Sequence, residues 1–141
     1  MISRVEGYFK GLADSSRLRI LNLLLYGELC GCDIQYVLGL SQTNVSRHLT
    51  YLKHAGLVAD RREGYRVFYR LADTPSGTIP ALFEFLRAVF KADENLQQDL
   101  VRLKQAVREG ACTIQQKRPL PRSTALAMAG RLGGRSVRER G

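Results

Sequence analysis

The chain has 141 residues and a mass of 15.8 kDa, which suits one domain with short appendages rather than two full domains. Its 45% hydrophobic and 25% charged residues are typical of a folded globular protein, and no apolar run reaches the roughly 18 residues of a membrane span. Three unevenly spaced cysteines and an N-terminus without an apolar signal core argue against a secreted disulfide framework, so we expect a cytoplasmic protein with no membrane partner.

The net charge of +9 is unevenly distributed along the chain. Residues 117–141 carry seven basic residues and one acid, so they account for +6 of the total. A basic chain tends to bind polyanions, but in the rest of this protein such binding must depend on where the charges lie. We predict a folded unit over residues 1–112 and a basic, disordered tail over residues 113–141.

Apolar residues recur at helical spacing in two N-terminal segments, residues 3–13 and 17–26. The capping cluster that begins at Asp14 separates them, and Gly27 is predicted to end the second helix. A short third helix is predicted over residues 33–38, with Gly39 at its end. These three segments predict a mainly helical core.

A second short helix follows after a turn of three residues, and Ser41 is a good N-cap for it. Two helices joined by a tight turn that contains glycine form a helix-turn-helix. No acid occurs over residues 41–58, and the outer face carries side chains that can contact bases and phosphates: Gln42, Thr43, Asn44, Ser46, Arg47, Thr50 and Lys53. This pattern predicts a recognition helix for double-stranded DNA.

A hairpin is predicted next, with strands over residues 57–62 and 65–71 and a turn at Glu63 and Gly64. Arg61, Arg62 and Arg66 lie near its tip. Since the hairpin directly follows the recognition helix, we interpret it as a wing whose arginines contact the minor groove or the DNA backbone. The alternative is a solvated hairpin with no ligand.

Two further helices are predicted after residue 78, with Asp93 capping the second. The first carries the apolar stripe Ile79, Leu82, Phe83, Leu86, Val89 and Phe90, and the second the seam Leu96, Leu100, Leu103 and Val107. A domain this small has little inner surface for both, so we expect one stripe to pair with its copy in a homodimer, beside the first helix. Packing within one chain is the alternative. The predicted fold is mainly α with a small β-hairpin: a winged helix-turn-helix that dimerises through its terminal helices.

The sequence resembles the ArsR/SmtB family of bacterial metal- and metalloid-responsive repressors. Four stretches carry the resemblance: LADSSRLRIL at 12–21, GELCGCDI at 27–34, LSQTNVSRHL at 40–49 and YRVFYRL at 65–71. It extends from residue 5 to about residue 110, and it implies a dimeric repressor that an inducer releases from operator DNA. It also places Ser41 and His48 within the DNA-binding element. The stretch that contains Cys30 and Cys32 resembles the branches that sense arsenic, antimony, cadmium and lead.

Cys30 and Cys32 lie at the predicted start of the third helix, where the helix N-terminus favours a thiolate. Thiolates select soft ions, among them As(III), Sb(III), Cd(II) and Pb(II). The resemblance to the arsenic-sensing branch implies As(III) and Sb(III) as the expected inducers, with Cd(II) and Pb(II) as alternatives. Residues i and i+2 of a helix lie about 200° apart around its axis. Both sulfurs could then reach one ion only if the helix start unwound, and we expect this distortion to move the recognition helix off DNA.

A third ligand is not fixed by the sequence. Gln35 stands where some family members have a third cysteine, which leaves Cys112, a small cellular thiol or water. No histidine occurs over residues 79–110, so the zinc site of the SmtB type is predicted to be absent, and neither His48 nor His54 has a partner at metal-ligand spacing. Cys30, Cys32 and Cys112 are therefore the candidate ligands, and two buried cysteines without a ligand are the alternative.

Three other functions are alternatives to this prediction. One keeps the fold but replaces the ion with oxidation or reactive sulfur, which would pair Cys30 or Cys32 with Cys112. A thiol enzyme such as an arsenate reductase lacks support, because the sequence has no Cys-x-x-Cys motif and no glycine-rich phosphate loop. A DNA-bending protein would not need paired thiols. We therefore predict a repressor with no catalytic residues.

Overall fold

The computed structural model describes residues 2–73 and 78–110, with side chains from Arg4 onward. Six helices and three strands make up this part of the chain: α1 Ile2–Leu12, α2 Ser15–Leu24, β1 Leu29–Cys30, α3 Gly31–Leu38, α4 Gln42–His54, β2 Val58–Glu63, β3 Arg66–Leu71, α5 Thr78–Lys91 and α6 Glu94–Glu109. Cys112 and the predicted tail over residues 113–141 lie outside it. None of its helices is long and apolar enough to cross a membrane.

Helix α2 forms the centre of the core, and its second half from Ile20 to Leu24 is buried. Asp14 caps its start as predicted, because its carboxylate accepts a hydrogen bond from the Arg17 backbone N–H at 3.1 Å. The helix ends at Leu24, earlier than the predicted stop at Gly27. The two residues after Leu24 still return backbone hydrogen bonds to Leu21 and Leu23, so the chain turns before it reaches the glycine.

Helices α3 and α4 form the predicted helix-turn-helix, and Val45, Leu49 and Leu52 bury the inner face of α4. Gly39 ends α3 in the left-handed region at φ 69°, where a side chain would be strained. Ser41 caps α4 by accepting from the Asn44 N–H at 3.1 Å. Helix α3 begins at Gly31, two residues before the predicted start, which places Cys30 outside the helix and Cys32 within it.

The sheet has three antiparallel strands in the order β1-β3-β2. Strands β2 and β3 form the predicted hairpin, but the turn is Gly64 and Tyr65 rather than Glu63 and Gly64. Strand β1 was not predicted, because two residues are too short for a periodicity to be seen. It pairs Leu29 with Tyr69 and Cys30 with Phe68.

Helices α5 and α6 cover their stripes within one chain more fully than predicted. The buried stripe residues are Ile79, Phe83, Leu86, Phe90, Leu96, Leu100 and Leu103. Of the predicted stripes only Val89 is largely exposed, so neither stripe as a whole is left for a partner. The large apolar side chains that α1, α5 and α6 do expose are Val5, Phe9, Phe85, Val89 and Val101.

Asp99 of α6 is a buried carboxylate that ties three helices together. It accepts hydrogen bonds from Arg19 of α2 at 2.8 and 3.1 Å and pairs with Arg102. The same two arginines donate to the carbonyls of Leu38 and Val37 at the end of α3. The C-terminal end of α3 is thereby attached to α2 and α6.

Candidate metal centre and nucleic-acid interface

The two cysteines of the ELCGCD stretch lie together at the start of α3. Cys30 is the N-cap, in an extended conformation, and its sulfur accepts from the Cys32 backbone N–H at 3.4 Å. The two Sγ atoms are 3.2 Å apart. Asp33 completes a capping box, because its carboxylate accepts from the Cys30 N–H at 3.1 Å. Cys30 is buried and Cys32 is half-buried, so the pair lies at the edge of the core.

This geometry corrects the expectation that the helix must unwind before both sulfurs reach one ion. The angle of about 200° applies only when both residues are helical, and Cys30 is not. With metal–sulfur bonds of about 2.3 Å, as zinc thiolates have, two sulfurs on one ion are about 3.3 Å apart at a right angle and about 3.8 Å apart at the tetrahedral angle. The observed 3.2 Å separation is close to the shorter of these spacings.

A third protein ligand is not grouped with the pair in the described ranges. No cluster of three or more His, Cys, Asp or Glu side chains suited to a metal occurs there. Cys112 lies beyond Gly110, the last residue that the structure describes. Burial raises the pKa of the Tyr69 phenol, and the charges of Asp60 and Cys30 raise it further, which places this ring in the electrostatic neighbourhood of the pair.

Helix α4 presents the predicted polar face to solvent. Ser41, Gln42, Thr43, Asn44, Ser46, Arg47, Thr50 and Lys53 are all exposed. Arg47 donates to the Asn44 side chain at 2.7 Å, and Lys53 pairs with Asp60 of β2 at 3.1 Å. Exposed pairs of this kind are weak, so both cations can exchange their partner for a phosphate.

His48 is placed differently from its neighbours on α4, since its side chain is only 13% exposed. Its Nδ1 lies 3.3 Å from an Arg17 guanidinium nitrogen and 3.8 Å from the Asp14 carboxylate. Arg17 also donates to the carbonyls of Gly11 and Lys10 and stacks on Tyr51 at 4.0 Å. Arg17 therefore joins the end of α1 to the recognition helix, a role that its sequence position did not reveal.

The three wing arginines differ in their surroundings. Arg61 makes a bidentate ion pair with Glu28 at 2.9 and 3.0 Å and lies over the Phe68 ring at 4.7 Å. Arg62 is exposed, and Arg66 lies over Tyr65 at 5.2 Å. Tyr65, at the tip, is 85% exposed and was missed as a candidate, although its place in the turn could have identified it.

Comparisons with known proteins agree with this architecture. The family model described as "Bacterial regulatory protein, arsR family" matches residues 14–60. The arsenic resistance transcriptional regulator ArsR1 of Pseudomonas putida is 41% identical over 97 residues, which are 67% of this chain and 73% of that protein. The arsenical resistance operon repressor of Escherichia coli is 51% identical over 65 residues, 45% of this chain and 56% of that one. A cadmium resistance regulatory protein CadC homolog of Staphylococcus aureus is 42% identical over 70 residues, 49% of this chain and 58% of that one.

Solved structures show the same fold. HlyU from Vibrio cholerae superposes with a TM-score of 0.55 at 36% identity, over 62% of this chain and 91% of that one. The homodimeric winged helix-turn-helix DNA-binding domain Mb0332 from Mycobacterium bovis has a TM-score of 0.56 at 38% identity, over 69% and 85% of the two chains. The named relatives are transcriptional regulators rather than enzymes, which rules out the thiol enzyme alternative. The chain therefore belongs to the ArsR family of bacterial regulatory proteins, and it is a metal-responsive, winged helix-turn-helix transcriptional repressor.

Proposed function

We propose that the protein is a repressor that arsenite or antimonite releases from its operator, and that Cys30 and Cys32 bind the inducer. The single observation that carries this proposal is the 3.2 Å separation of the two sulfurs at the N-cap of α3. Two soft sulfur ligands at that spacing suit a thiophilic ion. The names of two matched relatives, an arsenic resistance regulator and an arsenical resistance repressor, support the same ions. Cd(II) and Pb(II) are the second choice, and the name of the cadmium resistance relative supports the first of these two ions.

Ion capture disturbs the start of α3 without unwinding it first. The Cys30 sulfur accepts the Cys32 N–H, and a bond to an ion draws electron density from this sulfur and constrains the direction of its remaining lone pairs. This weak hydrogen bond of the α3 cap is therefore weakened, and α3 packs directly on α4. Cys112 or a small thiol from solution supplies a third sulfur, since As(III) favours three.

Operator DNA binds along the exposed face of α4 and the wing. We assign contacts with base edges and phosphates to the exposed members of the predicted set and to the half-buried Arg66; the exposed members are Ser41, Gln42, Thr43, Asn44, Ser46, Arg47, Lys53 and Arg62. His48 and Arg61 are assigned to positioning instead, because each is held by neighbouring side chains. Tyr65 joins the set at the wing tip.

The functional unit is a homodimer that uses α1 and α5. Phe9 is 63% exposed and Phe85 is 62% exposed, and burial of such rings is a main source of association free energy. The folded unit extends over residues 1–112, and residues 113–141 form a basic tail that adds non-specific attraction to DNA. Limited proteolysis should cut within the tail and leave a fragment that still dimerises.

The test is a titration of labelled promoter DNA with the protein, followed by addition of As(III), Sb(III), Cd(II), Pb(II) and Zn(II) in turn. We expect arsenite or antimonite to weaken operator binding by at least about fivefold, the lower end of allosteric coupling. The Cys30→Ser and Cys32→Ser variants should bind operator normally and lose this response. Unchanged affinity of the wild-type protein with every ion would refute the proposal.

The same protein and promoter DNA distinguish a redox trigger from ion binding. Oxidised protein that contains a disulfide from Cys30 or Cys32 to Cys112, detected by mass spectrometry of its peptides, would favour that alternative if oxidation also released DNA. If the ion releases DNA under reducing conditions and the Cys112→Ser variant still responds, the ion is bound by Cys30 and Cys32 together with a small thiol from solution.

A further inference from the structure

We propose that Glu28 and Arg61 form a latch that transmits the state of the cysteine pair to the wing. This inference rests on the proposed function, in which Cys30 and Cys32 hold the inducer. It assigns to both residues a positioning role, not a contact with the ion or with DNA bases.

The first support is the register of the sheet. Phe68 of β3 pairs with Cys30 on one side and with Arg61 on the other, so these three residues form one row across the strands. Residues directly opposite each other in a sheet direct their side chains to the same face. The inducer-binding cysteine and the wing arginine are therefore separated by a single buried aromatic residue.

The second support is the ion pair itself. Both Arg61 nitrogens that face Glu28 lie within 3.0 Å of its oxygens, and the Glu28 side chain is only 9% exposed. Fork geometry of this kind fixes direction as well as distance. The guanidinium also lies 4.7 Å from the Phe68 ring centre and donates to the exposed Glu63 at 3.0 Å, so Glu28 is the more buried of these two carboxylate partners.

The third support is covalent proximity. Glu28 lies two residues before Cys30, and Leu29 and Cys30 together make up all of β1. A short extended segment has little freedom to absorb a displacement of Cys30 before it reaches Glu28. Ion binding disturbs the cap that the Cys30 sulfur forms on α3, and a readjustment of the Cys30 backbone then reaches the Glu28–Arg61 pair and with it the attachment of β2 to the body of the protein.

If the Glu28–Arg61 latch transmits the state of the cysteine pair, its loss should reduce the effect of the inducer on operator affinity. The measured quantity is the ratio of operator Kd values with and without arsenite, and for Glu28→Gln we expect this ratio to fall by about threefold or more relative to wild type. Arg61→Gln should reduce the ratio similarly. The double variant should show the same ratio as either single variant, because the effects of two residues that act through one interaction are not additive.

Arg62→Gln is the matched control, because Arg62 is the next residue on β2 and is exposed. It should weaken operator binding equally with and without arsenite, so that the ratio is unchanged. Arg61→Lys keeps the charge but cannot form the fork, and it should still lower the ratio. It provides the test should Glu28→Gln fail to fold, as judged by thermal unfolding.

Arsenite bound per chain, measured by equilibrium dialysis, distinguishes the two hypotheses. A wild-type protein that binds no arsenite would overturn both the proposed inducer site and the latch. Wild-type binding and release, with unchanged ratios in Glu28→Gln and Arg61→Lys, would overturn the latch alone. Normal arsenite binding with a reduced ratio in those variants is the result expected.

Discussion

The two helices of the helix-turn-helix begin with the same kind of cap made from different atoms. Ser41 caps α4 with its hydroxyl oxygen, which accepts a hydrogen bond from the Asn44 backbone N–H at 3.1 Å. Cys30 caps α3 with its sulfur, which accepts from the Cys32 backbone N–H at 3.4 Å. Serine is among the preferred capping residues, and a thiol sulfur is a weak acceptor. The oxygen cap suits a helix that must stay rigid to read DNA. The sulfur cap holds α3 less strongly but offers a ligand to soft ions, so the difference lies in chemistry rather than in backbone geometry.

The opposite end of α3 provides the largest expected effect on stability. Asp99→Asn should lower the free energy of unfolding by about 2–3 kcal/mol, since a buried carboxylate with two arginine partners is lost. Urea unfolding measures this change. If the inducer acts through the sulfur cap at the start of α3, folded Asp99→Asn protein should still release operator DNA when the inducer is added. A variant with unchanged stability would show that the arginines on Leu38 and Val37 hold this end without the carboxylate.

The turn between α3 and α4 should have the second largest effect on stability. Gly39→Ala should lower the free energy of unfolding by about 1–2 kcal/mol, because alanine resists the left-handed conformation at φ 69°. No neighbouring atom lies within 4 Å of the added methyl group, so the loss would be conformational rather than steric. Thermal unfolding of Gly39→Ala beside Gly39→Asn tests this, since asparagine tolerates that region better.

The cap of α4 should contribute somewhat less. Ser41→Ala removes the acceptor of the Asn44 N–H and should lower the free energy of unfolding by about 1 kcal/mol. The ratio of operator Kd values with and without the inducer should remain as in wild type. Ser41→Asn, which keeps a capping oxygen, is the control, and a loss of inducer response in Ser41→Ala would contradict the distinction between the two caps.

The cap of α3 should show the reverse behaviour. Cys30→Ser replaces a weak acceptor with a better one in a buried position, so the free energy of unfolding should change by less than about 1 kcal/mol. The inducer response should nevertheless disappear, because a hydroxyl is a poor ligand for soft ions. Denaturation and operator titration of the same preparation measure both. Retained release by arsenite would show that Cys30 is not a ligand.

The smallest effect concerns pH. Burial lowers the pKa of His48 below the ordinary 6.5, Asp14 opposes this shift, and Arg17 and Arg47 add to it. His48 therefore binds a proton more readily in the unfolded chain than in the folded protein. Its neutral form contributes to the free energy of unfolding fully above about pH 6.5, and this contribution is lost as the pH falls through the lower pKa of the folded state. Denaturation at about pH 7.5 and about pH 5.5 should show this loss in wild type and less of it in His48→Gln. Equal pH dependence would exclude His48 as its source.

Local patterns in the sequence determined most of the fold. Helical periodicity located the core faces of α2 and α4, and capping residues located the starts of α2, α4 and α6, because both signals arise from neighbours a few residues apart. The exposed face of α4 was also foreseen, since the absence of acids over residues 41–58 is a local property. The cysteine pair was predicted as a site from its place at a helix start and from the resemblance of its stretch to the ArsR/SmtB family.

Only the tertiary structure decided how the cysteine pair is held and what it is joined to. Strand β1 exists because Leu29 and Cys30 pair with β3, some 40 residues away, and this pairing keeps Cys30 extended and out of the helix. The attachment of Arg61 to Glu28 and the coverage of the α5 and α6 stripes depend on similar long-range contacts. No local pattern reports such contacts, because they arise only when distant segments of the chain pack together.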